Sequence, residues 1–225
     1  MPGTVLILAG GSPPTPNVRN ALPAAAMCIA ADSGIDHARA LGRVPDLVVG
    51  DFDSVSAEGL AWATSVGAVV EEHPTSKDQT DLELALAIAV EQQPARIVVA
   101  AIGGGRFDHL LANVQVIAGE QFAAVPIDAL VGTSLLSVIH DRRVLHGSVD
   151  ETVSLLPQHG DADGVTTEGL GYPLRGERLR SGASRGVSNY FASQDATVTV
   201  GRGTLVAVQP DSLLTDPAVN HDTDA

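Results

Sequence analysis

Asp51 and Asp53 have the residue type and the spacing that could hold a divalent cation. They follow an apolar run, residues 47–49, which predicts a short strand that ends at Gly50. In an extended chain, side chains two residues apart point the same way, and their Cα atoms lie about 6.5 Å from each other. Mg²⁺ prefers oxygen ligands, and two carboxylates without a cation would repel each other. The alternative interpretation is a polar turn after a strand.

A second acidic pair, Asp78 and Asp81, lies where the sequence predicts the start of a helix. Ser76 and Gln79 have the spacing of a capping box, so we expect the helix to begin there. Side chains three residues apart share one face of a helix. Acids in a first helical turn also offset the helix dipole, so a structural explanation stays open. Lys77 has no such explanation and could contact a phosphate.

The glycines at 103–105, followed by Arg106, indicate a phosphate-binding loop between a strand and a helix. Glycines allow close backbone approach, the helix start offers N–H donors, and arginine adds a fork of positive charge. The segment matches neither the Walker A nor the Rossmann glycine pattern, and a tight turn is the alternative. Asp108 could orient Arg106, hold a second cation, or simply lie in the first helical turn.

The elements around these residues alternate between strand and helix over about 130 residues. Apolar runs predict strands at 5–9, 27–31, 47–49, 67–71, 96–102 and 122–131, with helices from 35, 57, 76 and 107. In the last helix, Leu110, Leu111, Val114 and Ile117 are expected to face inward. This order predicts a mostly parallel sheet with flanking helices. Ligands of such sheets lie at the carboxyl ends of strands. Asp32, the Asp51 pair and the Arg106 loop occupy such positions and, with the segment 77–81 at a helix start, would converge on one edge of the sheet.

A second region follows residue 134 and reads as a smaller all-β part. Short β runs occur at 135–140, 152–156, 196–200 and 204–208, separated by predicted turns at glycines such as Gly160, Gly164 and Gly176. The polar segment 210–225 is predicted to be a disordered tail. Asp32 also has a structural alternative, since Asp32 or Ser33 could be the N-cap of the next helix.

Composition limits the possible partners. The formal net charge of −14, with no basic stripe, argues against a nucleic-acid or acidic-membrane partner. No apolar run approaches the roughly 20 residues of a membrane helix, and the first residues show no signal peptide. A single cysteine, Cys28, excludes an internal disulfide and favours a cytoplasmic location, with Cys28 as a small core residue. The histidines do not have the spacing of zinc ligands, which argues against a zinc site.

Six motifs, in order, resemble the thiamine pyrophosphokinase family. They are ADSG (31–34), GDFDS (50–54), KDQTD (77–81), GGRFDH (104–109), GLGYPL (169–174) and SRGVSN (184–189). The resemblance spans residues 5 to 208. The sequence departs from the family pattern at Gly171, where a basic residue is expected, and at Tyr172, where some members carry tryptophan. These departures bear on the thiamine pocket and not on the phosphate chemistry.

The resemblance implies an α/β domain at residues 1–133 that binds ATP and Mg²⁺, and a thiamine-binding β-sandwich at 134–209. It implies transfer of the diphosphoryl group of ATP to the hydroxyl of thiamine, which gives thiamine diphosphate and AMP. It further implies a homodimer whose thiamine sites involve both subunits. Two other functions stay open: a nucleotide-binding regulatory paralogue without catalysis, and a Mg²⁺-dependent diphosphotransferase that acts on another alcohol, such as a pterin.

The resemblance also implies roles for single residues. Asp51, Asp53 and Asp81 would hold Mg²⁺. The nucleotide would meet Asp32, Lys77, Gly104 and Gly105, and the catalytic group would comprise Asp51, Asp81, Arg106 and Asp108. Ser188 and Asn189 would lie beside the thiamine, with Tyr172 nearby. Phosphoryl transfer depends on positioning and charge stabilisation, which a carboxylate-held cation, arginine and lysine can supply.

Overall fold

Five α-helices and thirteen strands occur within residues 3–214, the part of the chain that the computed structural model describes. The helices are α1 (Pro16–Ala21), α2 (Gly34–Leu41), α3 (Ala57–Ser65), α4 (Asp81–Glu91) and α5 (Phe107–Ile117), with a 3₁₀ turn at Glu120–Phe122. The first strands are β1 (Thr4–Leu8), β2 (Met27–Ala31), β3 (Leu47–Gly50), β4 (Val69–Glu72), β5 (Arg96–Ala100), β6 (Ile127–Val131) and β7 (Ser134–Ile139). The others are β8 (Arg142–His146), β9 (Thr152–Glu168), β10 (Arg175–Leu179), β11 (Asn189–Tyr190), β12 (Asp195–Thr199) and β13 (Arg202–Gln209).

The first six strands form a parallel sheet in the order β4-β3-β2-β1-β5-β6. Val5 on β1 lies opposite Met27 on one side and Ile97 on the other. β7 then pairs antiparallel with β6, and β13, β9, β12 and β8 continue the same hydrogen-bonded path. This arrangement confirms the predicted fold class, a mostly parallel sheet with flanking helices followed by a smaller all-β region.

The parallel sheet is covered on both faces, which is why its strands are almost purely apolar. Successive side chains of β1 alternate between two cores because neighbouring residues of a strand point to opposite faces. Ile7 packs in the core that contains Leu86 of α4 and Ile117 of α5. Leu6 packs on the other face, in the core that includes Val18 of α1. Cys28 is buried there too, as predicted, and burial raises the pKa of its thiol to about 12.

A buried ion pair connects the parallel sheet to the antiparallel region. Asp128 on β6 is only 5% exposed. Its Oδ1 accepts hydrogen bonds from Ser137 Oγ on β7 and from Arg143 Nη2 on β8, both at 2.6 Å. A buried carboxylate requires such partners, because desolvation of an unpaired charge is costly. The pair therefore joins three strands across the change from parallel to antiparallel pairing.

The antiparallel region departs from the predicted short strands. β9 is a single strand of 17 residues that passes through Gly160 and Gly164, so the turns predicted at those glycines are wrong. Both glycines have positive φ, and the pairing of β9 with β13 shifts register between Arg202 and Thr204. These irregularities interrupt the regular pairing without ending the strand. β9 can therefore pair first with β13 and then with β10 and β12.

Three local predictions for the parallel part and one for the antiparallel part also need correction. The fourth helix begins at Asp81 with Thr80 as its N-cap, and not at Ser76. Leu111 was expected to face inward but is 52% exposed. The last return strand begins at Ile127, because Phe122 belongs to the 3₁₀ turn. Gly176 lies inside β10 and does not separate two strands.

No helix within residues 3–214 is long and apolar enough to cross a membrane.

The last described residues pack against the rest of the chain. Pro210 O accepts hydrogen bonds from Thr133 Oγ1 and Ser134 Oγ, and Leu213 is buried. The rest of the predicted tail, residues 215–225, lies outside the described residues.

Candidate active site

Three carboxylates meet at the carboxyl end of the parallel sheet. Asp32 follows β2, and Asp51 and Asp53 follow β3, the neighbouring strand. The backbone N–H of Asp32 donates to Val49 O at 2.9 Å, which aligns the two strand ends. Each aspartate offers an oxygen within 4.8 Å of the others, and within residues 3–214 this is the one such cluster of three potential metal ligands.

The Asp51–Asp53 pair is formed by a turn and not by an extended strand, as the sequence argument had assumed. Phe52 has a φ of 59°, in the left-handed region, so the chain turns between the two aspartates. The Phe52 side chain packs against the core beside Ile35 and Val48. The backbone N–H of Asp53 donates to Asp51 Oδ1 at 3.3 Å. The carboxylates are neighbours because of this turn, which a two-residue periodicity does not describe.

The Asp32 carboxylate is partly buried, and one of its oxygens has no hydrogen-bond donor among the described residues; a bound cation would compensate for this. Its φ of 47° is left-handed, a conformation that aspartate tolerates better than most residues. Its Oδ1 is buried, and no group in the described part of the chain donates a hydrogen bond to it. Burial, opposed by the backbone N–H of Ser33 and reinforced by the charges of Asp81 and Asp51, raises the pKa of Asp32. An orphaned carboxylate oxygen beside two further carboxylates fits a hard divalent cation.

Lys77 lies between two of the acids. Its Nζ is 3.0 Å from Asp81 Oδ1 and 3.5 Å from Asp51 Oδ2, and it donates to Pro74 O. Partial burial alone would lower the pKa of Lys77, but hydrogen bonding and charge from Asp81 and Asp51 raise it. Burial would likewise raise the pKa of Asp51, but the Asp53 N–H and the Lys77 ammonium lower it. Asp81 thus joins the acidic cluster through Lys77.

Asp81 is placed by the start of α4, where Thr80 Oγ1 accepts from the N–H of Glu83 at 3.2 Å. This Thr80–Glu83 spacing is itself that of a capping box, so the sequence contained a second helix-start signal. Asp78 precedes the helix and is exposed, so it does not share a helical face with Asp81.

The glycine loop before α5 packs against a second loop that sequence reasoning did not single out. The N–H groups of Gly11 and Ser12 donate to Ala101 O and Gly103 O, both at 2.8 Å. Gly104 has a φ of 91°, and a Cβ on it would overlap the Ser12 side chain. The signal for this partner was available in Gly10 and Gly11, which come shortly after β1.

Arg106 and Asp108 form an exposed, two-bond pair at the start of α5. Arg106 Nε and Nη2 donate to the two carboxylate oxygens of Asp108, at 3.3 and 2.6 Å. Hydrogen bonding and charge from Asp108 raise the pKa of Arg106, and the same bonds lower the pKa of Asp108. Of the three roles open to Asp108, this geometry supports that of orienting Arg106.

The residues predicted to meet thiamine lie together in the antiparallel region. Asn189 is 5% exposed, its Oδ1 accepts from the N–H groups of Tyr172 and Tyr190, and its Nδ2 donates to Tyr172 O. Ser188, with a φ of 57°, donates its N–H to Ser154 Oγ at 3.0 Å. Tyr172 is 65% exposed. Asn189 therefore serves the backbone around Tyr172, and its side-chain polar groups already have partners.

Family models match both parts of the chain. The model of the thiamin pyrophosphokinase catalytic domain matches residues 18–127, and that of the vitamin B1 binding domain matches residues 140–205. The chain belongs to the thiamine pyrophosphokinase family. This membership confirms the resemblance stated above, and with it the class of ATP-dependent diphosphotransferase enzymes.

Several thiamine pyrophosphokinases resemble this chain in sequence or in structure. The thiamine pyrophosphokinase of Bacillus subtilis is 26% identical over 92% of this chain and 98% of its own length, and its crystal structure superposes with a TM-score of 0.78. The thiamin pyrophosphokinase of Geobacillus thermodenitrificans, also 26% identical, has a TM-score of 0.77 over 96% of this chain and 99% of its own. Thiamine pyrophosphokinase 2 of Arabidopsis thaliana is 27% identical over 68% of this chain and 61% of its own length.

Proposed function

We propose that this chain transfers the diphosphoryl group of ATP to the hydroxyl of thiamine, and so produces thiamine diphosphate and AMP. The observation that carries the proposal is the meeting of Asp32, Asp51 and Asp53 at the carboxyl edge of the parallel sheet, in a member of the thiamine pyrophosphokinase family. Such edges are where sheets of this class bind their ligands. With a net charge of −14, the chain depends on a cation and a few basic side chains to attract phosphates.

Mg²⁺ would be held by Asp32, Asp51 and Asp53, because their oxygens converge and Asp32 Oδ1 has no partner among the described residues. When bound, the cation would neutralise phosphate charge that develops during transfer. Asp81 would join this ligand set when Lys77 moves away from it to contact a phosphate. This assignment uses the donor types that magnesium prefers.

Lys77 and Arg106 would contact the phosphates. Lys77 is now held by Asp81 and Asp51, and a phosphate would compete with them for its ammonium. Arg106 presents an exposed guanidinium that Asp108 orients through two hydrogen bonds. A planar, pre-oriented guanidinium suits two-point binding of phosphate oxygens. Gly104 and Gly105 would let the phosphate chain approach the backbone before α5. Of the carboxylates, Asp51 and Asp81 make up the acidic part of the proposed catalytic group, and Asp108 would contribute to it by positioning Arg106.

The thiamine end of the proposed site would be formed by Tyr172 and Ser188. The exposed Tyr172 ring offers a surface on which a planar heteroaromatic ring can stack. Asn189 would act indirectly, since its side chain is occupied by the backbone of Tyr172 and Tyr190. We propose that residues 1–133 and 134–209 form the catalytic and thiamine-binding domains.

A homodimer is part of the proposal. Phe107 and Leu111 lie four residues apart on one face of α5, next to Arg106, and are 70% and 52% exposed. A second copy of the chain that covers this face would remove two large apolar side chains from water. Sedimentation of Phe107→Glu and of wild type would test this: the variant should shift toward the monomer. A cytoplasmic location is proposed from the single, buried Cys28.

An assay of AMP release with ATP, Mg²⁺ and thiamine tests the proposed reaction. We expect one AMP and one thiamine diphosphate for each ATP consumed, and no AMP when thiamine is omitted. A pterin alcohol and other primary alcohols should not replace thiamine. Stoichiometric AMP release with another alcohol, or binding of ATP without any turnover, would contradict the proposal.

A further inference from the structure

The segments 170–172 and 189–191 are clamped together in the antiparallel region. Leu170 and Phe191 form an antiparallel bridge, and the N–H of Gly171 donates to Tyr190 O at 2.9 Å. Asn189 adds its side-chain bonds to the backbone of Tyr172. The backbone that carries Tyr172 is therefore fixed from several sides. The direction in which the Tyr172 ring points has to be set by other contacts.

The Tyr190 ring supplies such a contact. The centroids of the Tyr172 and Tyr190 rings lie 5.4 Å apart with an angle of 84° between their planes, an edge-to-face pair. This geometry is favourable because the positive edge of one ring meets the negative face of the other. Tyr190 is half-buried whereas Tyr172 is 65% exposed, so the pair leaves most of the Tyr172 ring uncovered.

Tyr190 also explains why residue 171 is a glycine. A Cβ built on Gly171 would overlap three atoms of the Tyr190 ring, Cζ, Cε1 and Cε2. The ring thus lies directly on the Gly171 backbone and fills the space that any side chain there would need. The φ of Gly171 is not in the left-handed region, so backbone conformation does not demand glycine at this position. The requirement comes from the ring of Tyr190.

We infer that Tyr190 is a positioning residue for Tyr172, and that Gly171 and Tyr190 form a coupled pair that determines affinity for a planar heteroaromatic cation. This inference deepens the proposed function and rests on it for the identity of the substrate. Tyr190 supports the Tyr172 ring in an orientation in which an incoming ring can stack on its uncovered face. A ring that carries a positive charge would bind more tightly, because the face of the tyrosine ring is negatively polarised and attracts cations. Glycine at 171 makes room for this support.

The two rings are the only tyrosines of the chain, which makes them separately observable. With 3-fluorotyrosine incorporated, ¹⁹F NMR should give two resonances, assigned by Tyr172→Phe and Tyr190→Phe. In Tyr190→Ala, the Tyr172 resonance should move and narrow, because the neighbouring ring and its restraint are gone. A Tyr172 resonance unchanged in position and width would overturn the inference, whatever substrate the enzyme takes.

Binding and kinetics form the second arm of the experiment. For Tyr190→Ala we expect the Kd and KM for thiamine to rise roughly twofold to tenfold, the range of one aromatic pair, with the KM for ATP unchanged. Tyr190→Phe keeps the ring and should restore the wild-type values. A general structural defect would instead change the KM for both substrates and would not be rescued by phenylalanine. Either of those two results would overturn the inference.

A double-mutant cycle tests the coupling. Gly171→Ala should weaken thiamine binding in the wild-type background but have little further effect in Tyr190→Ala, where the obstructing ring is absent. Additive effects would overturn the coupled pair. Failure of the proposed function is distinguishable, because wild type would then release no AMP with thiamine while the ¹⁹F shift in Tyr190→Ala would still occur.

Discussion

The ammonium of Lys77 lies 3.0 Å from the carboxylate of Asp81, one residue inside the N-cap of α4. On its other side the same ammonium is 3.5 Å from Asp51. A basic side chain thus neutralises part of the acidic cluster at the place where a metal ion and phosphates are proposed to bind.

Replacing Lys77 should separate its competition with the metal ion from its proposed contact with a phosphate. Lys77→Met removes a competing cation, so the affinity for Mn²⁺ without nucleotide should rise about twofold to fivefold, the range of weak ion pairs. The same variant loses a charged phosphate contact, and its KM for ATP should rise about tenfold or more. Electron paramagnetic resonance of free Mn²⁺ and steady-state kinetics measure the two quantities. Lys77→Arg, which keeps the charge, is the control; equal Mn²⁺ affinity in all three proteins would refute the competition.

Asp51 is expected to be indispensable for turnover. Asp51→Asn keeps the shape of the side chain but loses its charge, so kcat should fall at least about a hundredfold, as for other removed electrostatic contacts in active sites. Mn²⁺ binding should weaken in parallel. Asp141→Asn, an exposed aspartate between β7 and β8, is the matched control and should retain wild-type activity. Full AMP release by Asp51→Asn would defeat the metal assignment.

The raised pKa of Asp32 makes a prediction about stability and pH. A carboxyl whose folded pKa lies above its ordinary value of 3.8 holds its proton more tightly in the native state. Stability of the metal-free protein therefore falls as pH rises from about 3.8 through the folded pKa. Asp32→Asn removes this loss and should melt above wild type at pH 7, by about 2–4 °C for each kcal/mol recovered.

The melting difference between Asp32→Asn and wild type should shrink as pH falls below the ordinary aspartate pKa. Thermal unfolding at several pH values, with chelator present, provides the measurement. A difference that does not depend on pH would mean that desolvation of the Asp32 charge is not its cause.

Gly104 and Gly105 offer a matched pair for the glycine loop. Both have positive φ, so alanine at either position strains the backbone. Only at 104 would the added Cβ overlap Ser12; at 105 no described residue other than the two chain neighbours lies within 4 Å of an added Cβ. Gly104→Ala should therefore raise the KM for ATP severalfold more than Gly105→Ala. Adding Ser12→Gly should remove the excess, and equal effects of the two alanines would argue against the packing of the two loops.

The Asp128–Arg143 pair should dominate the stability of the junction between parallel and antiparallel strands. Asp128→Ala leaves Arg143 without its buried partner and should lower the free energy of unfolding by about 3–5 kcal/mol. Urea denaturation of Asp128→Ala, Arg143→Ala and the double variant measures the coupling. If the single losses simply add in the double variant, the two side chains do not stabilise the junction as a pair.

The sequence was sufficient to predict an element when the residues of that element alone show whether it is buried. The buried runs of β1 and β2 predicted a parallel sheet, because strands covered on both faces must be apolar throughout. The strand ends then predicted that Asp32 and Asp51 share one edge. The helix start shows the limit: Ser76–Gln79 and Thr80–Glu83 both have capping-box spacing, and α4 uses the second. Contacts of Lys77 with Asp51, remote in sequence, accompany that choice.

Other features depended on residues that are far apart in the chain. Leu111 has the spacing of a buried position, yet no described neighbour covers most of it. Gly160 and Gly164 have the sequence context of turns, but β9 continues through both and pairs with β13 and β10. The role of Asn189 as a backbone support for Tyr172 could not be predicted for the same reason, since two of its three side-chain hydrogen bonds reach Tyr172, 17 residues away.

By itself the sequence determined the fold class, the family, and the acids that meet at the sheet edge. Each of these follows from the hydrophobic pattern and from short motifs, which can be recognised without knowing how the chain packs. The tertiary structure alone decided that Phe52 turns the chain between two carboxylates, that Lys77 lies between Asp51 and Asp81, and that the Tyr190 ring covers Gly171. These arrangements are contacts between side chains and backbone segments that only the folded chain brings together, so they depend on the packing of the whole chain.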